Sequence, residues 1–386
     1  MKKKIFYWSP CLNPVGTVIS TANSAIALSK FSDQYEVSVI NTCGEWDKFI
    51  SEFTTNNIDV INLNFTYFKI LPKTGFLKSR FSYIVIFILS FFPLIFLLKK
   101  KKPDILIAHL ITSLPILIFK FFTFHTRLIL RISGMPRLNF FRKNLWKFCS
   151  SKIKMITCPT IELKNKIENF GIINKEKIFH LPDAVINLSK LRKQLKIQNK
   201  FKNIFTKDVK IFLAVGRLTK QKNFNYLINE FYNFYLENKN WRLVILGDGE
   251  EFNNLNSLII KKQLNKVVHL LGRVENVLRY MKDSDAFILS SRWEEMGFVI
   301  IESALANLYI ISSNCPNGPS EFLNNGINGL LYENNKNEAL YKALKDFVIL
   351  DEKKKKNDCL KIKKNSMKFS LFRHYKKLDK ILNFTN

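Results

Sequence analysis

Short apolar runs that close on a glycine or polar turn and then pass into helical spacing recur along this chain. That alternation limits the fold more than any other feature. Ile211–Val215 ends at Gly216, runs through a polar loop to Lys222, and leads into a helical pattern from Phe224 to Phe234. Asp285–Leu289 is followed by a loop, by Gly297, and by a run ending in the helix formers Ala304, Leu305 and Ala306. In the first half Lys4–Trp8, Tyr35–Ile40, Ile58–Leu63, Ile105–Ala108, Leu128–Ile132 and Met155–Cys158 have the length and apolar content of buried strands. Strands alternating with helices predict an α/β architecture with parallel, doubly wound sheets. A length of 386 residues suggests two domains. The basic stretch 188–208 is poor in aliphatic residues and reads as a linker between a first domain, 1–187, and a second, 209–365. Phe369, Phe372, Tyr375 and Leu378 have helical spacing within the remaining 366–386.

Glu294 and Glu302 sit eight positions apart, the first in the loop after a predicted strand and the second a turn or so into the following helix. Ligands of open α/β sheets bind at that end of the strands, and free N–H groups at a helix start near Gly297 and Phe298 favour an anion. A nucleotide-sugar, with hydroxyls on both sides of a phosphate group, suits such a pair. Taken alone, the pair fits better as carboxylates that complement the helix dipole, and the segment after Gly216 shifts that balance. After Gly216, Arg217 and Lys222 lie on a strand-to-helix turn where two cations suit a diphosphate, Arg as a fork and Lys as a point charge. On its own the turn fits a solvated basic loop equally well in a chain with 61 Lys and Arg.

The net charge of +30 calls for a partner. No helix-turn-helix, zinc-finger or aromatic RNA-binding signature points to nucleic acid. The apolar run Phe81–Leu98 is flanked by Lys78 and Arg80 and by Lys99–Lys102. It is slightly short for a spanning helix, holds Pro93, and is basic at both ends. It can span, fill a core, or dock on an anionic membrane surface, and the polybasic flanks favour docking. The six cysteines form no CxxC pair, which argues against zinc and a disulfide framework and fits a reducing cytosol. Asp283-Ser284-Asp285 spells a metal-binding DxD motif, yet it precedes a predicted buried strand with no second carboxylate cluster, so no metal and no cofactor are expected.

Five ordered segments resemble glycosyltransferase family 4, the retaining nucleotide-sugar enzymes of GT-B fold: VGRLTKQKNF (215–224), LVILGDGEE (243–251), VHLLGRVENV (268–277), SDAFILSSRWEEMGFVIIESALA (284–306) and SNCPNGPSEFLNNGINGLLYE (313–333). The resemblance implies two Rossmann-like domains facing a central cleft, an N-terminal one for the acceptor and a C-terminal one for the donor, with a last helix crossing back to the first domain. It implies retaining transfer from a UDP- or GDP-sugar to an acceptor hydroxyl, on a lipid-linked glycan of a bacterial polysaccharide such as O-antigen or capsule. Arg217, Lys222 and Glu294 would be catalytic. Gly16, Thr17, Gly216, Gly297, Phe298 and Glu302 would bind the donor, Glu302 through the ribose and Glu294 through the sugar hydroxyls. Gly16 belongs to a loop where the family has a glycine pair and this chain has Val15-Gly16. Many relatives carry His-Gly where this chain has Ser133-Gly134, so imidazole assistance is in doubt there. His109, Arg131, Ser133 and Arg137 remain acceptor-side candidates, although a lone His is more often structural and basic turns are often only solvated. Such an enzyme would sit in the cytoplasm, peripheral on the inner face of the membrane. An epimerase of the same fold, or a non-catalytic basic protein that binds nucleic acid or a partner, is the rival.

Overall fold

A computed structural model describes residues 2–12, 16–63, 76–136, 140–201, 203–206 and 208–384; side chains of 76–80 lie outside that description. Two compact units divide the chain, one formed by 1–185 with 369–386 and the other by 186–368.

In chain order the first unit contains β1 (Lys3–Trp8), α1 (Gly16–Phe31), β2 (Tyr35–Asn41), α2 (Ile50–Thr55), β3 (Asp59–Asn62), α3 (Phe76–Leu89), α4 (Phe91–Lys101), β4 (Ile105–His109), α5 (Ser113–Phe121), β5 (Arg127–Arg131), α6 (Phe140–Cys149), β6 (Ile153–Cys158), α7 (Ile161–Asn169) and β7 (Ile178–His180). Its strands pair in parallel in the order β3-β2-β1-β4-β5-β6-β7. The central strands are buried on both faces, as continuous apolar runs should be.

The second unit contains α8 (Leu188–Lys196), β8 (Lys210–Val215), α9 (Phe224–Glu237), β9 (Trp241–Leu246), α10 (Phe252–Lys261), β10 (Val268–Leu270), α11 (Val277–Lys282), β11 (Ala286–Leu289), α12 (Phe298–Leu305), β12 (Tyr309–Ser313), α13 (Gly318–Phe322), β13 (Leu330–Tyr332), α14 (Ala339–Ile349) and α15 (Glu352–Ser366). Its sheet, also parallel, runs β10-β9-β8-β11-β12-β13. The 188–208 stretch carries helix α8 and belongs to this unit. The last helix, α16 (Leu371–Asn383), returns to the first unit and packs on α1. There buried His374 bonds Ser24 at 2.8 Å and donates through Nδ1 to the Pro182 carbonyl at 2.7 Å.

In both sheets the strand order reverses direction at one point, between β1 and β4 and between β8 and β11. Such switch points open a crevice at the C-terminal strand ends.

The apolar run 81–98 is not one helix. It breaks at Ser90 into α3 and α4, which bend by 41°. Pro93 explains the break. It has no N–H to return to the Leu89 carbonyl, and its ring crowds that carbonyl, whereas Pro fits the first turn of a new helix. Among the described residues no single helix is long and apolar enough to cross a membrane. Ile86, Leu94, Ile95 and Leu98 face the interior, while Phe81, Ile84, Ile88, Phe92 and Phe96 are exposed.

Candidate functional site

The residues singled out in the sequence fall into two sets, one in each unit. In the second unit the loop after β8 and the loop after β11 lie side by side at the switch point. Ser290 donates to the Lys222 carbonyl at 2.7 Å, the Arg292 N–H to the Gln221 carbonyl at 2.8 Å, and the Gln221 amide to the Trp293 carbonyl at 2.9 Å. The loop after β9 joins them, its Asp248 carbonyl accepting from the Leu218 N–H at 2.9 Å. Close approach there demands glycine: a Cβ on Gly247 would lie 1.8 Å from the Gly216 carbonyl oxygen.

These loops bring Lys222 and Glu294 together. Lys222 Nζ lies 2.5 Å from Glu294 Oε1, and the two side chains are 13% and 9% exposed. The Ser291 hydroxyl donates to the same oxygen at 2.6 Å. Glu294 is also held through its backbone, its N–H donating to the Pro316 carbonyl and its carbonyl accepting from the Asn317 N–H, both at 2.7 Å. An ammonium has three donors, so Lys222 can keep Glu294 and still present N–H groups to an anion. Arg217, on the same loop, is exposed.

Helix α12 begins beside Glu294. Gly297 precedes it at φ +73, a conformation that favours glycine, and no side chain caps its first turn. The start of α12 at Phe298 is therefore an anion-favouring terminus. Glu302 is in the second turn, partly exposed at the surface. Burial of its carboxyl pushes its pKa up to about 7, opposed by attraction to Lys190. Asp283 and Asp285 lie at the other end of β11 and are engaged there: Asp283 with Arg279 at 3.2 Å, Asp285 with Lys210 at 3.1 Å and with the Ile211 N–H at 2.7 Å.

In the first unit Gly16 and Thr17 open α1, Gly16 exposed and Thr17 half-buried. His109 ends β4 and is buried. Its Nδ1 contacts Ser9 Oγ at 2.8 Å and Thr21 Oγ1 at 3.1 Å, and its Nε2 contacts Ser133 Oγ at 2.7 Å. Thr21 spends its own proton on the Thr17 carbonyl at 2.9 Å, so its oxygen accepts from Nδ1–H. Nε2 is then the acceptor and Ser133 donates to it. Burial, with Arg131 nearby, holds the imidazole pKa well below its ordinary value, so the ring is neutral. Ser133 is half-exposed, and its oxygen lone pairs are the polar feature this network turns outward.

Arg131 does not reach a surface. It is buried, ion-paired with Asp183, and donates to Ser20 and, at 3.4 Å, to Thr21. Its charge is neutralised inside the unit by Asp183, as a buried cation in a low-dielectric interior requires. Val15 and Arg137 lie outside the described residues. Ser291 and Asp183 complete the two networks, and no sequence pattern marks Ser291.

The residues 196–368 match the model of Glycosyl transferases group 1. The second unit carries a glycosyl transferases group 1 domain. An uncharacterised glycosyltransferase of Methanocaldococcus jannaschii is 32% identical over 245 residues, 59% of this chain and 59% of that protein, so the chain covers less than two thirds of that relative. A Campylobacter jejuni protein named as a GalNAc-alpha-(1->4)-GalNAc-alpha-(1->3)-diNAcBac-PP-undecaprenol alpha-1,4-N-acetyl-D-galactosaminyltransferase is 26% identical over 352 residues, 90% of this chain and 89% of its own length. The Anabaena HepE crystal structure in complex with UDP-glucose superposes with a TM-score of 0.68 at 14% identity, covering 99% of each chain. The two parallel-sheet units are those of the GT-B fold. Lys222, Glu294, Gly297 and Glu302 all lie inside the glycosyl transferases group 1 domain, whereas His109, Arg131 and Ser133 lie outside it.

Proposed function

We propose that this chain is a retaining glycosyltransferase that moves a sugar from a UDP-sugar to a hydroxyl of a lipid-linked glycan, working at the cytoplasmic face of a membrane in polysaccharide or glycolipid synthesis. The observation that carries this reading is the Lys222–Glu294 pair at the β8/β11 switch point, beside the uncapped start of α12. UDP as the donor base is supported by the UDP-glucose complex of the structural relative, and a lipid-linked acceptor by the undecaprenol-linked substrate in the Campylobacter protein's name.

In this mechanism the bond between the anomeric carbon and the diphosphate oxygen breaks, and the acceptor hydroxyl oxygen bonds to that carbon on the same face. The hydroxyl proton passes to the departing diphosphate. Negative charge grows on that diphosphate in the transition state. The remaining N–H donors of Lys222, held by Glu294, and the α12 N-terminus are in place before the reaction and, with Arg217, stabilise it, the type of term that usually dominates. Glu294, locked by Lys222 and Ser291, orients the sugar hydroxyls. Glu302 accepts from the ribose hydroxyls, and Gly16 and Thr17 contribute to the donor phosphates. Ser133 accepts from an acceptor hydroxyl, positioned by His109. The exposed apolar face of α3 and α4, with Lys99–Lys102 after it, docks on anionic lipid.

Thermal shift with UDP, GDP and ADP tests the donor assignment. A ligand at one hundred times its Kd stabilises by about 2.7 kcal/mol. UDP alone should raise the melting temperature. A shift with ADP or GDP but not UDP would overturn the base assignment, and none with any nucleotide would overturn the reading.

A further inference from the structure

We infer that α6 is a second membrane-docking element, lying in the plane of an anionic lipid surface and continuous with the face of α4. This rests on the membrane reading above and adds a separate anchor. Phe140, Phe141 and Phe148 are 75%, 80% and 58% exposed, while Trp146 and Cys149 of the same helix are buried. The helix is thus apolar on the side that faces its own unit and again on the side that does not, and three exposed rings on ten residues leave a large apolar area in water. The rings are interleaved with Arg142, Lys143 and Lys147, and α6 contains no acid. An apolar face with basic residues beside it is the composition of interfacial helices.

Contacts on α5 and just after it make the surface continuous. Lys120 Nζ stands 4.0 Å from the Phe148 ring centroid, Lys99 Nζ 5.6 Å from that of Phe122, and Phe122 meets Phe91 of α4 at 6.2 Å. From 76 to 149 the sequence has one acid, Asp104. The occupant must therefore supply both apolar depth and negative charge. A second copy of this chain would bring its own cations to the same face and be repelled. An anionic bilayer offers hydrocarbon below the headgroups and phosphate at their level. Two elements instead of one would also fix how the first unit is oriented on the surface.

The test is flotation of the full chain with vesicles of phosphatidylcholine alone and of phosphatidylcholine mixed with phosphatidylglycerol. It compares wild type, Phe140→Ser/Phe141→Ser, and Phe92→Ser/Phe96→Ser. Wild type should float with the anionic vesicles and far less with neutral ones. Each double variant should lose about tenfold or more in partitioning, the factor that withdrawing one ring from an apolar phase supplies. The UDP thermal shift should be the same in all three proteins, which shows that the fold is intact. If Phe140→Ser/Phe141→Ser floats like wild type while Phe92→Ser/Phe96→Ser does not, α6 is no anchor and the α3–α4 reading survives. If wild type floats with neither vesicle, the membrane reading itself fails. A dimer that Phe140→Ser/Phe141→Ser dissolves would assign the face to a second copy and overturn the inference.

Discussion

The two sheets share one strand order about their switch points, yet they treat charge at the C-terminal strand ends in opposite ways. In the first unit the guanidinium there, Arg131, is enclosed with Asp183, and His109 is neutral among three hydroxyls. In the second unit Arg217 is exposed, Lys222 retains donors beyond its bond to Glu294, and α12 starts without a side-chain cap. On the reading proposed above, the C-terminal strand ends of the first unit, where Arg131 closes β5, serve cohesion, and those of the second, where Arg217 and Lys222 follow β8, serve anion recognition. Where a cation sits on a Rossmann-like sheet does not tell its role; what its charge is spent on does.

The comparison breaks most easily at Arg131. Arg131→Ala should destabilise the protein by about 3–5 kcal/mol, because it strands a buried carboxylate. Arg217→Ala should stay within about 0.5 kcal/mol of wild type in stability while weakening UDP binding. Denaturant titration and calorimetry on both variants separate the two roles. Equal stability loss would erase the contrast drawn here.

Lys222 stands between these extremes. Lys222→Ala should lower turnover by about 2.7–4 kcal/mol of transition-state stabilisation, with a stability loss as well, since Glu294 loses its cation. A rise in KM with kcat unchanged would make Lys222 a ground-state contact.

Glu302 gives a pH test of about 1.5–3 kcal/mol, the value of a hydrogen bond to a charged group. Burial raises its pKa to about 7, so the fold favours the protonated form. Its contribution to stability is full below the ordinary carboxylate range and is lost as pH rises through about 7. Ribose hydroxyls donate to the ionised form, so UDP affinity should rise with pH through about 7 and level off above it. Calorimetry across that window should find the rise missing in Glu302→Gln. The smallest effect is at Ser133: Ser133→Ala should raise the acceptor KM by about 1 kcal/mol and lower the melting temperature slightly, since His109 Nε2 loses its donor, and Ser133→Thr should restore both.

Much of the fold is legible in sequence because the central strands are buried on both faces and read as unbroken apolar runs. The three-residue edge strands β7, β10 and β13 carry too few residues for such a signal. The α3–α4 break has a visible cause in Pro93, but its 41° bend is a property of the folded helices that a hydropathy run does not contain. Within the candidate site Arg217, Lys222, Glu294 and Glu302 stand out as turn and helix-start residues. Their partnerships do not. Lys222 and Glu294 are 72 positions apart, and only the folded loops reveal that each neutralises the other. His109 and Arg131 look alike as polar ends of strands, and their enclosure follows from Thr21, Ser20 and Asp183 on other elements.

The most direct test of the donor site is a calorimetric titration of UDP into wild type, Glu302→Gln and Glu294→Gln. Glu302→Gln should bind UDP more weakly, because its amide is a poorer acceptor for the ribose hydroxyls. Glu294→Gln should bind it at least as well as wild type, because it frees the charge of Lys222 for phosphate while leaving the ribose contact alone. Equal losses in the two variants, or undiminished binding in Glu302→Gln, would contradict the account.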